Sequence, residues 1–419
     1  MQDATPGRRL FYGWKMVGAG CGLQFLQAGL LHHAFGGYVA VLQDDRGWSK
    51  TALSGAAALQ QMEAAILGPI LGWVMDRFGP QGVIRVGIFL FGGGFMLLSR
   101  IETLLGFYAA FLLVALGSSL CGFFPLNVAL INWFERKRAR ALSAMSLGLA
   151  LGGLFVPAVG WSLVTYGWRA TAFASGVLAI VVGFPLALVI RRRPEDQGET
   201  VDGVAHEPAS AAEAAAPSSS RDFTAPEALR TPAFWLLSLG HGFALFVVGA
   251  VSVHAIAHMK EALGYTVSAA AAIITLLTTC QIVGVMLGWV IGERYEKRYI
   301  AAACMLMHAL GLLCLTYATG LGWLIAFTAL HGVAWGLRGP FMQAIRADYF
   351  GRSAIGMILG LSFMIIVIGQ IGGPMIAGMA ADATGDYRLG FTLLAVLAGL
   401  GSVFFVLAKR PVRPLRSPP

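Results

Sequence analysis

Arg338 is the residue that most demands a chemical account. It lies deep inside an apolar run that begins near Leu321, and no acid stands beside it in sequence. A charged side chain in mid-membrane is costly and usually functional. The planar fork of a guanidinium matches the two oxygens of a carboxylate. Arg338 is therefore expected to bind a substrate anion, with an ion pair to Glu63 as the structural alternative. Glu63 is the acid deepest in any apolar run. His331, Trp335 and Arg338 stand at i, i+4 and i+7 and so share one helix face. Gln24, Gln27, Asn127, His241 and Gln281 are further polar residues in mid-run. Such residues give a small-molecule site its few oriented donors and acceptors, although glutamines also hold helices together. Glu63, His241 and His331 can gain and lose a proton, and are the candidates for proton coupling.

Other constellations carry less. No G-x-S-x-G elbow, Walker loop or zinc-protease helix occurs, so neither an enzyme nor a bound cofactor is expected. Cys21, Cys121, Cys280, Cys304 and Cys314 all fall inside apolar runs without C-x-x-C spacing. That suits buried packing residues rather than disulfides or zinc. His254 and His258 stand at i, i+4 without further ligands, and no metal site is expected. His32 and His33 lie near the end of the first run, and His308 reads as structural.

The elements that must position these residues are membrane helices. Of 419 residues, 57% are hydrophobic and 12% charged, and the mean hydropathy is +0.72. Soluble domains carry about 25% charged residues, so this chain lacks the polar groups to coat a water-soluble globule. Apolar runs of the ~20 residues that cross a ~30 Å hydrocarbon core recur from Trp14 almost to the C-terminus. Twelve spans can be drawn, the first near 11–41 and the last near 389–408. They do not alternate as barrel strands do. The 54 glycines are scattered through them, as in closely packed membrane helices. No cleavage pattern follows the first run, which is expected to be a retained helix.

A formal net charge of +9 invites a nucleic-acid reading, but its placement argues otherwise. Basic residues gather in alternate loops and helix ends, among them Arg136, Lys137, Arg138, Arg140, Arg191, Arg192, Arg193, Arg294, Lys297, Arg298, Arg346 and Arg352. The opposite side holds Arg46, Lys50, Arg100, Arg169, Lys260 and Arg388. By the positive-inside rule both termini are expected in the cytoplasm, with the chain in the cytoplasmic (inner) membrane. The expected surroundings are a lipid bilayer and no nucleic acid.

Residues 191–230 interrupt the apolar pattern, and 205–220 (AHEPASAAEAAAPSSS) has the composition of a flexible linker. The expected division is an N-terminal six-helix bundle over 1–190, a cytoplasmic linker over 191–230 and a C-terminal six-helix bundle over 231–419. An internal repeat supports it. Pro125, Ala129, Ile131, Trp133 and Phe134 precede one basic loop; Pro340, Ala344, Ile345, Tyr349, Phe350 and Arg352 follow the same order later. Pro157 before Gly167-Trp168-Arg169 likewise parallels Pro374 before Gly385-Asp386-Tyr387-Arg388. Two similar halves around a central site are the architecture of alternating access.

The segment Gly72-Trp73-Val74-Met75-Asp76-Arg77-Phe78-Gly79 resembles the G-x-x-x-D-R-x-G signature between helices two and three of the major facilitator superfamily. The terminal basic residue is missing, since Pro80 and Gln81 follow. In the second half, Gly292-Glu293-Arg294 keeps an acid-arginine pair without the later glycine. Phe11-Tyr12-Gly13-Trp14, Gly47-Trp48-Ser49, Trp133-Phe134 and Gly167-Trp168-Arg169 resemble the oxalate/formate antiporter and monocarboxylate transporter branch.

This resemblance implies an all-α polytopic membrane protein, with twelve transmembrane helices in two pseudo-symmetric six-helix bundles, acting as a monomer. It implies that helices one, four, seven and ten line a central cavity, and that Asp76 and Arg77 hold the cytoplasmic gate shut. The implied activity is secondary active transport of a small monocarboxylate, coupled to protons. Anion exchange, or efflux of an amphipathic or cationic compound, is the alternative. The carboxylate branch often has a basic residue on helix eight, yet no Lys or Arg lies between Lys260 and Arg294 here. Helix eleven has none before Arg388. That argues against a divalent, oxalate-like substrate needing two cations. It favours one carboxylate at Arg338, with Phe123, Phe124, Trp335 and Phe341 as an apolar wall.

Overall fold

Hydrocarbon offers a backbone no hydrogen-bond partner, so each apolar run must close into a helix. The computed structural model describes residues 11–204 and 222–412. The expected linker tract 205–220 lies outside the described residues. Helix α1 (Tyr12–Arg46) is interrupted by a π-helical turn at Ala28–His32. It is followed by α2 (Lys50–Phe78), α3 (Pro80–Leu98) and α4 (Leu104–Trp133, bent at Gly122). Arg138–Val189 is one helical stretch holding two spans, α5 (138–166) and α6 (168–189), divided where Gly167 takes a φ of 79°. Only glycine enters that left-handed region without steric cost. The second set is α7 (Pro232–Glu261), α8 (Val267–Ile291), α9 (Lys297–Thr316), α10 (Leu321–Phe350), α11 (Ile355–Thr384) and α12 (Arg388–Leu407).

Among the described residues, nine helical stretches are apolar and long enough to cross a membrane. One of them is the double span of α5 and α6. The two long helices outside that set are α2 and α10, whose apolar runs are broken by Gln60, Gln61 and Glu63 and by His331 and Arg338. Polarity that lowers the membrane signal of a helix is the same polarity that makes it a candidate for function.

The buried apolar side chains of α7 to α12 form one core; those of α1 to α6 form another, which continues into the second half through Cys304, Leu337, Phe341, Ala344, Ile355 and Leu359. Large apolar side chains such as Val164, Val181, Val253 and Ile368 stay exposed on the outside, where lipid tails are the medium. Both ends of the described chain lie on one face, here called the termini face. There the Tyr12 hydroxyl donates to the Val189 carbonyl (2.9 Å) and the Tyr349 hydroxyl to the Ala408 carbonyl (2.7 Å).

The two halves meet near this face along α2 and α11. The helices approach so closely that a Cβ on Gly72 would lie 2.3 Å from the carbonyl oxygen of Gly356, and one on Gly360 would lie 2.3 Å from that of Gly68. Overpacking of this kind costs about 1–3 kcal/mol. Gly72→Val is therefore expected to lower the melting temperature of the detergent-solubilised protein by several degrees. Gly93→Val, at a glycine with open space around it, should change it far less. Scanning fluorimetry of the pair checks this.

Candidate functional site: reciprocal helix caps and a buried cation cluster

The first turn of a helix leaves backbone N–H groups without partners. Neither α11 nor α5 satisfies them with a side chain at its own N-cap, Ala354 and Lys137 respectively. The other half supplies the acceptors. Asp76, at the end of α2, accepts from the backbone N–H of Gly356 (2.8 Å, Oδ1) and Met357 (2.8 Å, Oδ2). Glu293, just beyond α8, accepts from Ala139 (2.7 Å) and Arg140 (3.3 Å) at the start of α5. Each half thus caps a helix of the other, related by the pseudo-twofold of the fold. A carboxylate at this position also faces the positive end of the helix dipole.

Around these caps lie further ties. Asp348 on α10 pairs with Arg138 of the first half and with Lys297 (2.7 Å) of its own. Arg352 donates to the Asn132 carbonyl (3.1 Å) and to Glu195 (2.8 Å). Asp202 accepts from the backbone N–H groups of Glu135, Arg136 and Lys137. The short motifs also meet here: Phe11, Tyr12 and Trp14 pack on Trp133 and Phe134, and Trp14 touches Trp289 across the halves. Among the described residues, the hydrogen bonds joining the two halves all lie at the termini face. Arg77 takes no part in them; its guanidinium lies over the rings of Trp73 and Phe78 on its own helix.

Within the second half sits a cluster of buried cations without an acid. Arg338 is 2% exposed, and its Nε and one terminal nitrogen, Nη1, have no hydrogen-bond partner. It makes no ion pair among the described residues, so the alternative pairing with Glu63 is not formed. Glu63 instead accepts from the Ser119 hydroxyl on α4 (3.0 Å), and its Oε1 is buried without a partner. Arg346 corrects an expectation. It was expected among loop and helix-end charges, but it is 1% exposed and turned into the bundle. It donates to Ser362 (3.0 Å) and to the carbonyls of Met342 (2.7 Å) and Leu237 (3.1 Å), and meets His241 Nδ1 at 3.4 Å. All these partners are neutral. Arg346 also lines a small cleft between the halves with Phe123, Phe124, Asn127, Gln343 and Ser362.

The remaining expected site residues do not converge on one point. Asn127 reaches the cleft, donating to the Phe123 carbonyl (2.6 Å) and leaving its own Oδ1 buried and unpaired. Gln24 is buried with neither amide atom bonded. Gln27 ties α1 to α4 by donating to the Ser118 carbonyl (2.7 Å) and hydroxyl. Gln281 and Trp335 are half-buried, and Gly336 of α10 packs on the Gln281 carbonyl. His331 turns towards α9, where its Nδ1 lies 3.1 Å from Nδ1 of His308. His254 and His258 bond to separate carbonyls, of Pro374 and Leu315. Among the described residues, no three His, Cys, Asp or Glu side chains gather to hold a metal. Arg346, Glu293 and His308 are the residues that sequence reasoning did not assign to a site.

The Major Facilitator Superfamily model matches residues 21–256 and again 237–419. This chain belongs to that superfamily. The cow monocarboxylate transporter 13 is 27% identical over 404 residues, covering 93% of this chain and 88% of the relative. The oxalate:formate antiporter of Oxalobacter formigenes is 28% identical over 220 residues, covering 51% of this chain and 49% of that one. Among solved structures, the proton:xylose symporter XylE superposes with a TM-score of 0.77 at 15% identity, covering 94% of this chain and 95% of that one. At that identity the likeness shows the fold, a twelve-helix arrangement of two pseudo-symmetric bundles.

Removing the Asp76 carboxylate strips two charge-assisted bonds from the α11 N-terminus. Losing about 2 kcal/mol shifts a two-state ratio by roughly thirtyfold. A cysteine placed at Ser143, fully buried beside Gly288, should then react faster with a thiol reagent in an Asp76→Ala background. Unchanged labelling would mean that this cap does not hold the face closed.

Proposed function

We propose that this protein is a secondary active transporter that moves a small monocarboxylate across the cytoplasmic membrane by alternating access, coupled to protons. The observation that carries the reading is Arg338, a guanidinium buried in mid-span with unpaired donors and no acid beside it. Burying an uncompensated cation is expensive, and a substrate carboxylate would supply both the charge and the two oxygens it lacks. The monocarboxylate transporters among its relatives support the substrate class.

In this reading residues 1–190 and 231–419 rock as two bodies, with 191–230 joining them and both termini in the cytoplasm. Asp76 closes the cytoplasmic gate together with Glu293. The anion is held at Arg338, with Arg346, Asn127 and the phenylalanines of the adjoining cleft next on its path. Glu63 is a proton-coupling group of the first half. Arg346 favours a second reading, anion exchange, because two buried cations suit a substrate with two charges. The partial match to an oxalate:formate antiporter points the same way.

Proteoliposomes challenged with labelled formate, acetate, lactate and benzoate under an inward pH gradient test the proposal. The wild-type protein should accumulate at least one of these acids. Arg338→Ala should lower the rate at least a hundredfold, and Arg338→Lys should keep part of it. Undiminished uptake by Arg338→Ala would remove Arg338 from the mechanism.

A further inference from the structure

His308 on α9 and His331 on α10 form a buried pair between neighbouring helices. Both are fully buried. Their Nδ1 atoms lie 3.1 Å apart and their ring centroids 4.6 Å apart. Two imidazoles joined through Nδ1 need one ring to donate and the other to accept. The donor ring then keeps a lone pair on its Nε2, and the acceptor ring a hydrogen on its own. Both Nε2 atoms are buried without a partner, so the pair holds one free basic nitrogen.

The groups facing the pair are cationic or neutral. Arg338 stands two turns along α10 from His331, and Cys304 one turn from His308 on α9. From α7, His241 lies within electrostatic reach of Arg338 and against Arg346. Helix α8 and the span of α12 beyond Arg388 bring no charged residue. A proton added to the pair therefore meets an uncompensated arginine. A carboxylate bound at Arg338 would cancel that charge and remove the opposition.

We infer that the His308–His331 pair is the proton-binding site of the second half, coupled to the anion at Arg338, in addition to Glu63 in the first half. Arrival of a carboxylate on Arg338 draws one proton onto the free imidazole nitrogen, and the two leave together. The proton comes from hydronium on the side the anion enters, so an O–H bond breaks as the N–H bond forms, water is released and nothing is oxidised. By linkage the proton strengthens anion binding by the factor with which the anion strengthens proton binding. This inference rests on the carboxylate reading given above.

The test uses His308→Gln and His331→Gln in proteoliposomes with the same labelled formate, acetate, lactate and benzoate. Two assays run side by side: uphill accumulation under a pH gradient, and exchange of labelled for unlabelled acid at equal pH, which moves no net proton. Each variant is expected to lose accumulation at least tenfold more than exchange. Accumulation retained by both variants would overturn the inference and leave the carboxylate reading standing. Equal loss of both assays in both variants would also overturn it, marking the pair as structural. If the wild-type protein moves none of the four acids, the carboxylate reading falls and the inference with it.

Discussion

Two carboxylates, each borrowed from the opposite half, complete the N-termini of two helices where the halves meet. Asp76 caps α11 and Glu293 caps α5. Neither helix has a side-chain cap of its own, so parting the halves leaves backbone N–H groups of both without acceptors. The caps act over a short range and depend on close approach, which the facing glycines Gly68, Gly72, Gly356 and Gly360 permit. A small displacement loses the bonds altogether. In the proposed cycle the interaction would act as a latch rather than a spring, as expected where packed interfaces have discrete arrangements.

The second constraint is electrostatic and lies within the second half. Arg338 and Arg346 stand eight residues apart on α10, about 12 Å of helical rise. Neither has a carboxylate partner among the described residues. Arg346 is satisfied by hydroxyl, carbonyl and imidazole groups, whereas Arg338 keeps donors free. The difference is one of bonding: Arg346 is a fully bonded charge beside the cleft, and Arg338 is the one whose donors lack an acceptor. In the first half, Glu63 is held by a single hydroxyl and also keeps an unpaired oxygen. Among the described residues, Glu63 in the first half and Arg338 in the second are thus the mid-span charges that keep an unpaired atom.

Much of the fold was legible because hydrophobicity is read residue by residue. The break at Gly167 separates α5 from α6 where the Gly-Trp-Arg motif suggests a loop, and Trp168 donates to Asp45 there (3.0 Å). Asp76 was legible through its flanking glycines. Glu293 was not, because its role depends on which helix N-terminus lies opposite, a fact of tertiary packing. Arg346 misleads in sequence for a related reason. It stands four residues before the end of α10, near enough to suggest a solvated end, but its side of the helix faces α7 and α11. The His308–His331 contact joins neighbouring helices across 23 residues, and no spacing rule announces it. Gln27 and His331 show the converse: polar residues in mid-span, drawn into contacts between helices rather than into the cleft.

The central claim is that the reciprocal caps hold one of two arrangements of the halves. Spin labels at exposed positions report both faces: Phe78 and Tyr295 at the termini face, and Leu105 and Leu321 at the far face. Distance distributions from electron–electron double resonance in lipid nanodiscs should show a short separation at the termini face for the wild-type protein. In the Asp76→Ala, Glu293→Ala double variant that separation should lengthen while the far-face separation shortens. Distributions unchanged at both faces, or lengthened at the termini face with no change at the far face, would contradict the account.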